Sequence, residues 1–215
     1  MFEYAWRPFF LNNAKDENAK AIFSKVMTAF VFAASAAVLA LSVFIEDIVK
    51  ADLPFGFHLI GEDYWGGLGI VPIILFSYIF YGIYINLTAG IYIEKKTSYL
   101  PVITVVAAAL NISFIYILYP LLGLTGAALA TLISYVAMSG GIYYLSNKYY
   151  PVPYELRKIA MILLSMVAVY ASYKFLDGML HIPVWMKFIV PIIYVLILHT
   201  LKVVDISALK QLVSR

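Results

Sequence analysis

The chain has 215 residues, 64% hydrophobic and only 13% charged, with a mean hydropathy of +0.91. A soluble globule of this size has no interior large enough for that much apolar side chain, which excludes a water-soluble enzyme, a disordered chain and a nucleic-acid-binding module. Cysteine is absent, which removes disulfides, thiolate nucleophiles and Cys-based metal sites, and the net charge of +3 matters through its placement rather than its sum.

Residues 1–25 carry one early base, Arg7, and no apolar run of signal type before a small-residue cleavage site, so they do not read as a secretory signal. They read as a cytoplasmic interfacial segment. Phe9, Phe10, Leu11, Ala14, Ile22, Phe23 and Val26 are expected on an apolar side, with Lys15, Asp16, Glu17 and Lys20 on a wet side. Asp16 and Lys20 have the i,i+4 spacing of an ion pair worth about 0.3–0.5 kcal/mol. Pro8 is expected to break any helix through Trp6 and Arg7. The opening resembles the end of a preceding helix, and the expectation is a fragment.

Crossing a hydrocarbon core of roughly 30 Å takes about 20 apolar residues in a helix. Six such runs lie between charges: 26–45, 66–93, 98–119, 121–146, 159–173 and 184–201. The first closes at Glu46 and Asp47, and the second at Glu94, Lys95 and Lys96. The second is long enough to tilt or to include an interfacial lead-in. The third and fourth are joined only through Pro120 and a turn at Gly123. The fifth is short and borrows length from Lys158 and Lys174, which snorkel. The runs are continuous rather than alternating, which excludes a β-barrel. The predicted fold is all-α: a polytopic membrane bundle with a six-helix domain over 26–204 and a cytoplasmic tail, 205–215. Of the 15 basic residues, 12 fall in the N-terminal segment, the 95–96 loop, the 148–158 loop and the tail; Lys50, Lys174 and Lys187 fall on the other side. Both termini are therefore predicted to be cytoplasmic, with the acidic 46–63 loop outside.

Small residues mark helix interfaces in lipid. Ala29, Ala33 and Ala37 recur every four residues, and 123–131 is rich in Gly and Ala. Gly82, Asn86 and Gly90 share one stripe of a helix. Asn86 lies deep in its span, where its amide either bonds a neighbouring helix or lines a cavity that takes a polar substrate. Asn111 has the same two readings. The sequons at Asn86 and Asn111 are mid-span, out of reach of a glycosylating enzyme. No acidic or basic residue falls in the middle of a span. His58, His181 and His199 have no metal-ligand spacing, and neither a metal nor another cofactor is expected. The tyrosines and tryptophans read as aromatic belts at span ends.

Several local patterns in order resemble one family. Tyr4-Ala5-Trp6-Arg7-Pro8-Phe9 with Ala14, Lys15 and the stretch 20–30 looks like the cytoplasmic end of a helix in polysaccharide flippases. Glu94-Lys95-Lys96-Thr97 is similar to a cytoplasmic loop of those proteins. Asn111-Ile-Ser-Phe and the stretch from Tyr119-Pro120 through Gly123 and Gly126 to Thr131 resemble their most recognisable hairpin, and Tyr150-Pro151-Val-Pro153-Tyr154 the loop after it. The family is the O-antigen and capsule type of oligosaccharide-lipid flippase, within the MATE-like multidrug, oligosaccharidyl-lipid and polysaccharide exporter superfamily. The resemblance implies the C-terminal part of such a fold, with the N-terminal lobe of the same transporter as partner. It also implies alternating access for a polyprenyl-pyrophosphate-linked oligosaccharide in the cytoplasmic (inner) membrane, serving cell-surface polysaccharide such as lipopolysaccharide. Arg7, Asn86, Lys95 and Lys96 are the candidate substrate contacts, and no catalytic residue is expected. The alternatives are a MATE-type exporter of small organic cations and a small non-transporting membrane scaffold. A membrane enzyme would need clustered acids or histidines at the membrane face, and the only acidic cluster, Glu46, Asp47, Asp52, Glu62 and Asp63, is irregular.

Overall fold

The computed structural model describes residues 2–51, 60–201 and 203. The tail 205–215, with Lys202, Lys210 and Arg215 of the orientation count and Asp52 and His58 of the 46–63 loop, lies outside the described residues. Every regular element among the described residues is helical: α1 (Phe2–Asn13), α2 (Ala19–Val49), a 3-10 helix (Glu62–Ile70), α3 (Val71–Ile93), α4 (Tyr99–Leu122), α5 (Leu124–Tyr149), α6 (Leu156–Leu180), α7 (Val184–Lys187) and α8 (Ile189–Thr200). Five stretches, Ala19–Val49, Glu62–Ile93, Tyr99–Leu122, Leu124–Tyr149 and Leu156–Leu180, are long and apolar enough to cross a bilayer. The protein is a membrane-embedded helix bundle. Apolar side chains stand exposed along α4, among them Val105, Ile112 and Ile117, as lipid-facing side chains do.

The sixth apolar stretch, Val184–Thr200, is shorter and broken. The break has a local cause. Pro191 lacks the N–H that would bond the Lys187 carbonyl, and its ring crowds that carbonyl, so α7 stops at Lys187 and Pro191 falls in the first turn of α8. The apolar run over 66–93 does begin with a lead-in: a 3-10 helix containing Gly66, Gly67 and Gly69. The helix expected to end at residue 45 continues to Val49 because both acids inside it are paired. Glu46 meets Lys174 at 2.7 Å and Lys50 at 3.7 Å, and Asp47 meets Lys187 at 2.7 Å.

The chain divides into two compact units. The first is Met1–Thr28 with Ile73–Glu155. Here the expectation for Pro8 is corrected: α1 runs through it. The ring leaves the Tyr4 carbonyl without its helical donor, but Tyr4 is an exposed residue, and the helix is held by aromatic packing on its other face. Trp6 packs edge-on against Phe10 and Phe23, with ring centroids 5.7 Å apart in each case, and Phe10 meets Tyr92 at 5.9 Å. Of the expected apolar side, Phe10 and Phe23 are buried while Phe9 and Leu11 are exposed. α4 and α5 form a hairpin turning at Gly123, whose φ of 58° suits glycine. A Cβ on Gly126 would overlap the Leu118 carbonyl, so only glycine lets the two backbones approach there. A Cβ on Gly90 would lie 2.5 Å from Ser146 Oγ and 3.1 Å from Tyr150 Cβ, so the Gly82–Asn86–Gly90 stripe is a packed interface with α5 at that point.

The second unit is Ala29–Pro72 with Leu156–Arg215. Tyr194 of α8 is fully buried, its hydroxyl 2.6 Å from Ser35 Oγ of α2, and it donates to the Ile162 carbonyl of α6 at 3.4 Å. The alanine stripe of α2 does not carry this packing: Ala33 and Ala37 are exposed, while Val31, Ser35, Leu39 and Ser42 are buried. His181 takes a positive φ of 49° after α6, and the Asp177 carboxylate accepts the Ile182 N–H at 3.1 Å, which stops the helix.

Candidate functional site

Within the first unit, α3, α4 and α5 each turn a polar stripe toward a common cleft. On α3 the stripe is Tyr81, Tyr84, Thr88 and Tyr92; on α4, Thr104, Ala107, Ala108 and Asn111; on α5, Thr131, Ser134, Tyr135 and Met138. The α3 set follows i, i+3, i+7, i+11 and the other two follow i, i+3, i+4, i+7, which places each set on one helix face. Two adjoining pockets of about 180 and 350 Å³ share Tyr81, Thr104 and Met138 in their walls. The rings form a connected aromatic wall, with Tyr81 and Tyr135 centroids 5.4 Å apart and Tyr81 and Tyr84 6.1 Å apart. The short residues at 107 and 108 leave the space that the rings border.

The polar groups of the cleft are bonded locally. Thr88 donates to the Ile85 carbonyl at 2.7 Å, Thr104 to Leu100 at 3.0 Å, Thr131 to Ala127 at 3.2 Å and Ser134 to Ala130 at 2.7 Å. Asn111 Nδ2 donates to Thr131 Oγ1 at 3.4 Å. Glu3 and Arg7 close one end: Glu3 Oε1 lies 2.6 Å from an Arg7 guanidinium nitrogen, and the guanidinium lies over the Tyr92 ring, 5.0 Å from its centroid.

The four candidate contacts therefore part company. Arg7 borders the cleft. Asn86 is buried in α3, where its Nδ2 donates back to the Gly82 carbonyl at 2.9 Å and its Oδ1 has no partner. Lys95 and Lys96 lie at the exposed α3–α4 turn. There Lys95 takes a φ of 54°, its N–H bonds the Tyr92 carbonyl at 3.1 Å, and the Lys96 N–H bonds the Ile91 carbonyl at 2.9 Å. This is a Schellman end with lysine in the position glycine usually holds.

The expected aromatic belts do not take in three of the tyrosines. Tyr81, Tyr84 and Tyr135 lie in the middle of α3 and α5, not at their ends. The i,i+3 and i,i+4 registry of Tyr81, Tyr84 and Thr88, and of Thr131 with Ser134 and Tyr135, is the signal in the sequence that marks the cleft. Between α5 and α6, burial raises the Tyr150 and Tyr154 phenols above their ordinary range, and the charge of Glu94 adds to the effect on Tyr150, so both stay neutral. No family model, curated protein or solved structure matches the chain, so the cleft is assigned by its geometry.

Proposed function

We propose that this chain is a component of a membrane transporter that moves a polyprenyl-pyrophosphate-linked oligosaccharide across the cytoplasmic membrane, with both termini on the cytoplasmic side. The observation that carries the reading is the hydroxyl- and amide-lined cleft between helices otherwise made for lipid. A sugar head group cannot cross hydrocarbon unaided, because each hydroxyl would lose its hydrogen bonds. Threonine, serine and asparagine side chains replace water along such a path, and tyrosine faces offer flat surfaces to sugar rings. The ordered resemblance to polysaccharide flippases supports the same reading, and Arg7 at one end of the cleft supplies a cation for the pyrophosphate.

The tyrosine wall also favours a second reading, an exporter of small organic cations held by cation–π attraction. The two are separated by one experiment. The chain is placed in a strain lacking its oligosaccharide-lipid flippase, together with the N-terminal lobe of that enzyme. Restored surface polysaccharide, lost at least ten-fold in the shape-conserving triple variant Asn111→Leu, Thr131→Val, Ser134→Ala, is the expected result. No restoration, together with uptake of tetraethylammonium into vesicles containing the chain, would replace the first reading by the second.

A further inference from the structure

Two lysines of the first unit lie over Tyr149 and a third over its neighbour Tyr150. Lys96 Nζ, from the α3–α4 turn, and Lys148 Nζ, from the last turn of α5, lie over the ring of Tyr149 at 5.7 and 5.5 Å from its centroid. Lys20 Nζ, from the start of α2, lies over Tyr150 at 4.8 Å. Tyr149 stacks on Tyr99 with centroids 5.7 Å apart, and their hydroxyls are 2.9 Å apart. Lys20, Lys95, Lys96 and Lys148 are exposed, and no ion pair among the described residues involves them. The acids nearest in sequence are Glu94 in the turn and Asp16 and Glu17 ahead of Lys20, all exposed, and the half-buried Glu155 after Lys148, which accepts a hydrogen bond from Thr28 at 2.9 Å.

We propose that Lys96, Lys148 and the Tyr99–Tyr149 pair form a binding site for the phosphate head group of an anionic phospholipid. Position supports a lipid as the occupant. The site lies where α3 ends, α4 begins and α5 ends, so it falls at the boundary between hydrocarbon and water, where head groups are. The chemistry supports a phosphodiester. Two tyrosine hydroxyls carry two protons; one is used in their mutual hydrogen bond, and the other is left to donate outward to a phosphate oxygen. Both ammonium groups lie within 5.7 Å of the Tyr149 centroid, and the ring's attraction lowers the entropy each loses on closing on an anion. Charges that only orient a chain have no need to converge in this way. Lys20 and Lys95 extend the cationic rim toward neighbouring head groups.

The test is lipid retention by the full chain after release from nanodiscs of phosphatidylcholine with a minor fraction of phosphatidylglycerol, read by native mass spectrometry. The wild type is expected to retain phosphatidylglycerol in preference to phosphatidylcholine. Lys96→Gln and Lys148→Gln are each expected to lower that retention by about five-fold, the effect of removing one cation beside an anionic surface. The double Lys→Arg variant keeps it, and Lys50→Gln, at the far end of α2, leaves it unchanged. Inorganic phosphate at matched ionic strength does not displace the lipid. Equal retention by the Lys→Gln variants, an equal loss in Lys50→Gln, or displacement by inorganic phosphate would overturn the proposal.

Discussion

Lys95 and Asn86 both stand where a different residue would serve the fold better, and each exposes a separate physical cost. Lys95 holds a left-handed backbone conformation at the end of α3, which for a residue with a Cβ costs about 1 kcal/mol. Lys95→Gly is expected to raise stability by about 0.5–1 kcal/mol, read from thermal unfolding in detergent micelles. Asn86 keeps a buried Oδ1 without a partner, so the shape-conserving Asn86→Leu is expected to leave stability unchanged or to raise it by about 1 kcal/mol in the same assay. A loss of more than that amount would mean the carbonyl has a partner after all. In the sequence, Lys95 reads only as charge and Asn86 only as an amide needing a partner. Neither the turn geometry nor the return of the Asn86 amide to its own helix is visible without backbone coordinates.

At the level of elements, hydrophobic run length locates the long helices, and their ends are set by contacts that run length does not contain. α2 and α6 outrun their apolar stretches because Glu46, Asp47, Lys174 and Lys187 neutralise one another. Pro8 is tolerated because Trp6 and Phe10 anchor α1 from the other side. The Lys187 side chain is 9% exposed and that of Asp47 25%. Asp47→Asn would leave the lysine charge nearly buried and unpaired, and is expected to cost about 2–3 kcal/mol, less than a fully buried pair because Asp47 keeps some solvent. Denaturant titration of the variant measures this. In the α4–α5 hairpin, Gly126→Ala drives a methyl into the Leu118 carbonyl and is expected to cost about 1–3 kcal/mol. Gly140→Ala on the same helix meets nothing within 4 Å and is expected to gain about 0.5–1 kcal/mol. The hairpin itself was legible from Pro120, Gly123 and Gly126. The polar cleft beside it was legible only in part. Asn111 stands out in the sequence as a mid-span amide, but Tyr81, Tyr84 and Tyr135 do not, because an isolated tyrosine has the same composition signal in a belt and in a cleft.

For the whole molecule, five stretches long enough to cross predict alternation of the loops between the two faces. The chain has no cysteine, so every introduced thiol is unique. Cysteines at 98 and 157 are expected to react with an impermeant maleimide from one face of the membrane, and those at 50, 123 and 181 from the other. Reaction of 98 and 157 from opposite faces would contradict the order of crossings. The sixth stretch has seventeen residues and rises about 25 Å, so run length alone leaves its crossing to the same labelling.

The direction of the hydroxyl bonds in the cleft carries one more consequence. Thr88, Thr104, Thr131 and Ser134 each send their proton to a carbonyl of their own helix, which leaves the lone pairs of these four oxygens to accept. The protons that the cleft can offer belong to the Tyr81, Tyr84 and Tyr135 phenols, the Asn111 amide and the Arg7 guanidinium. Such a lining sorts contacts by position: a guest's O–H or N–H groups find acceptors at the threonine and serine oxygens, and an oxyanion finds its donor at the Arg7 end. A guest with hydroxyls along its length and an anion at one end would match both at once.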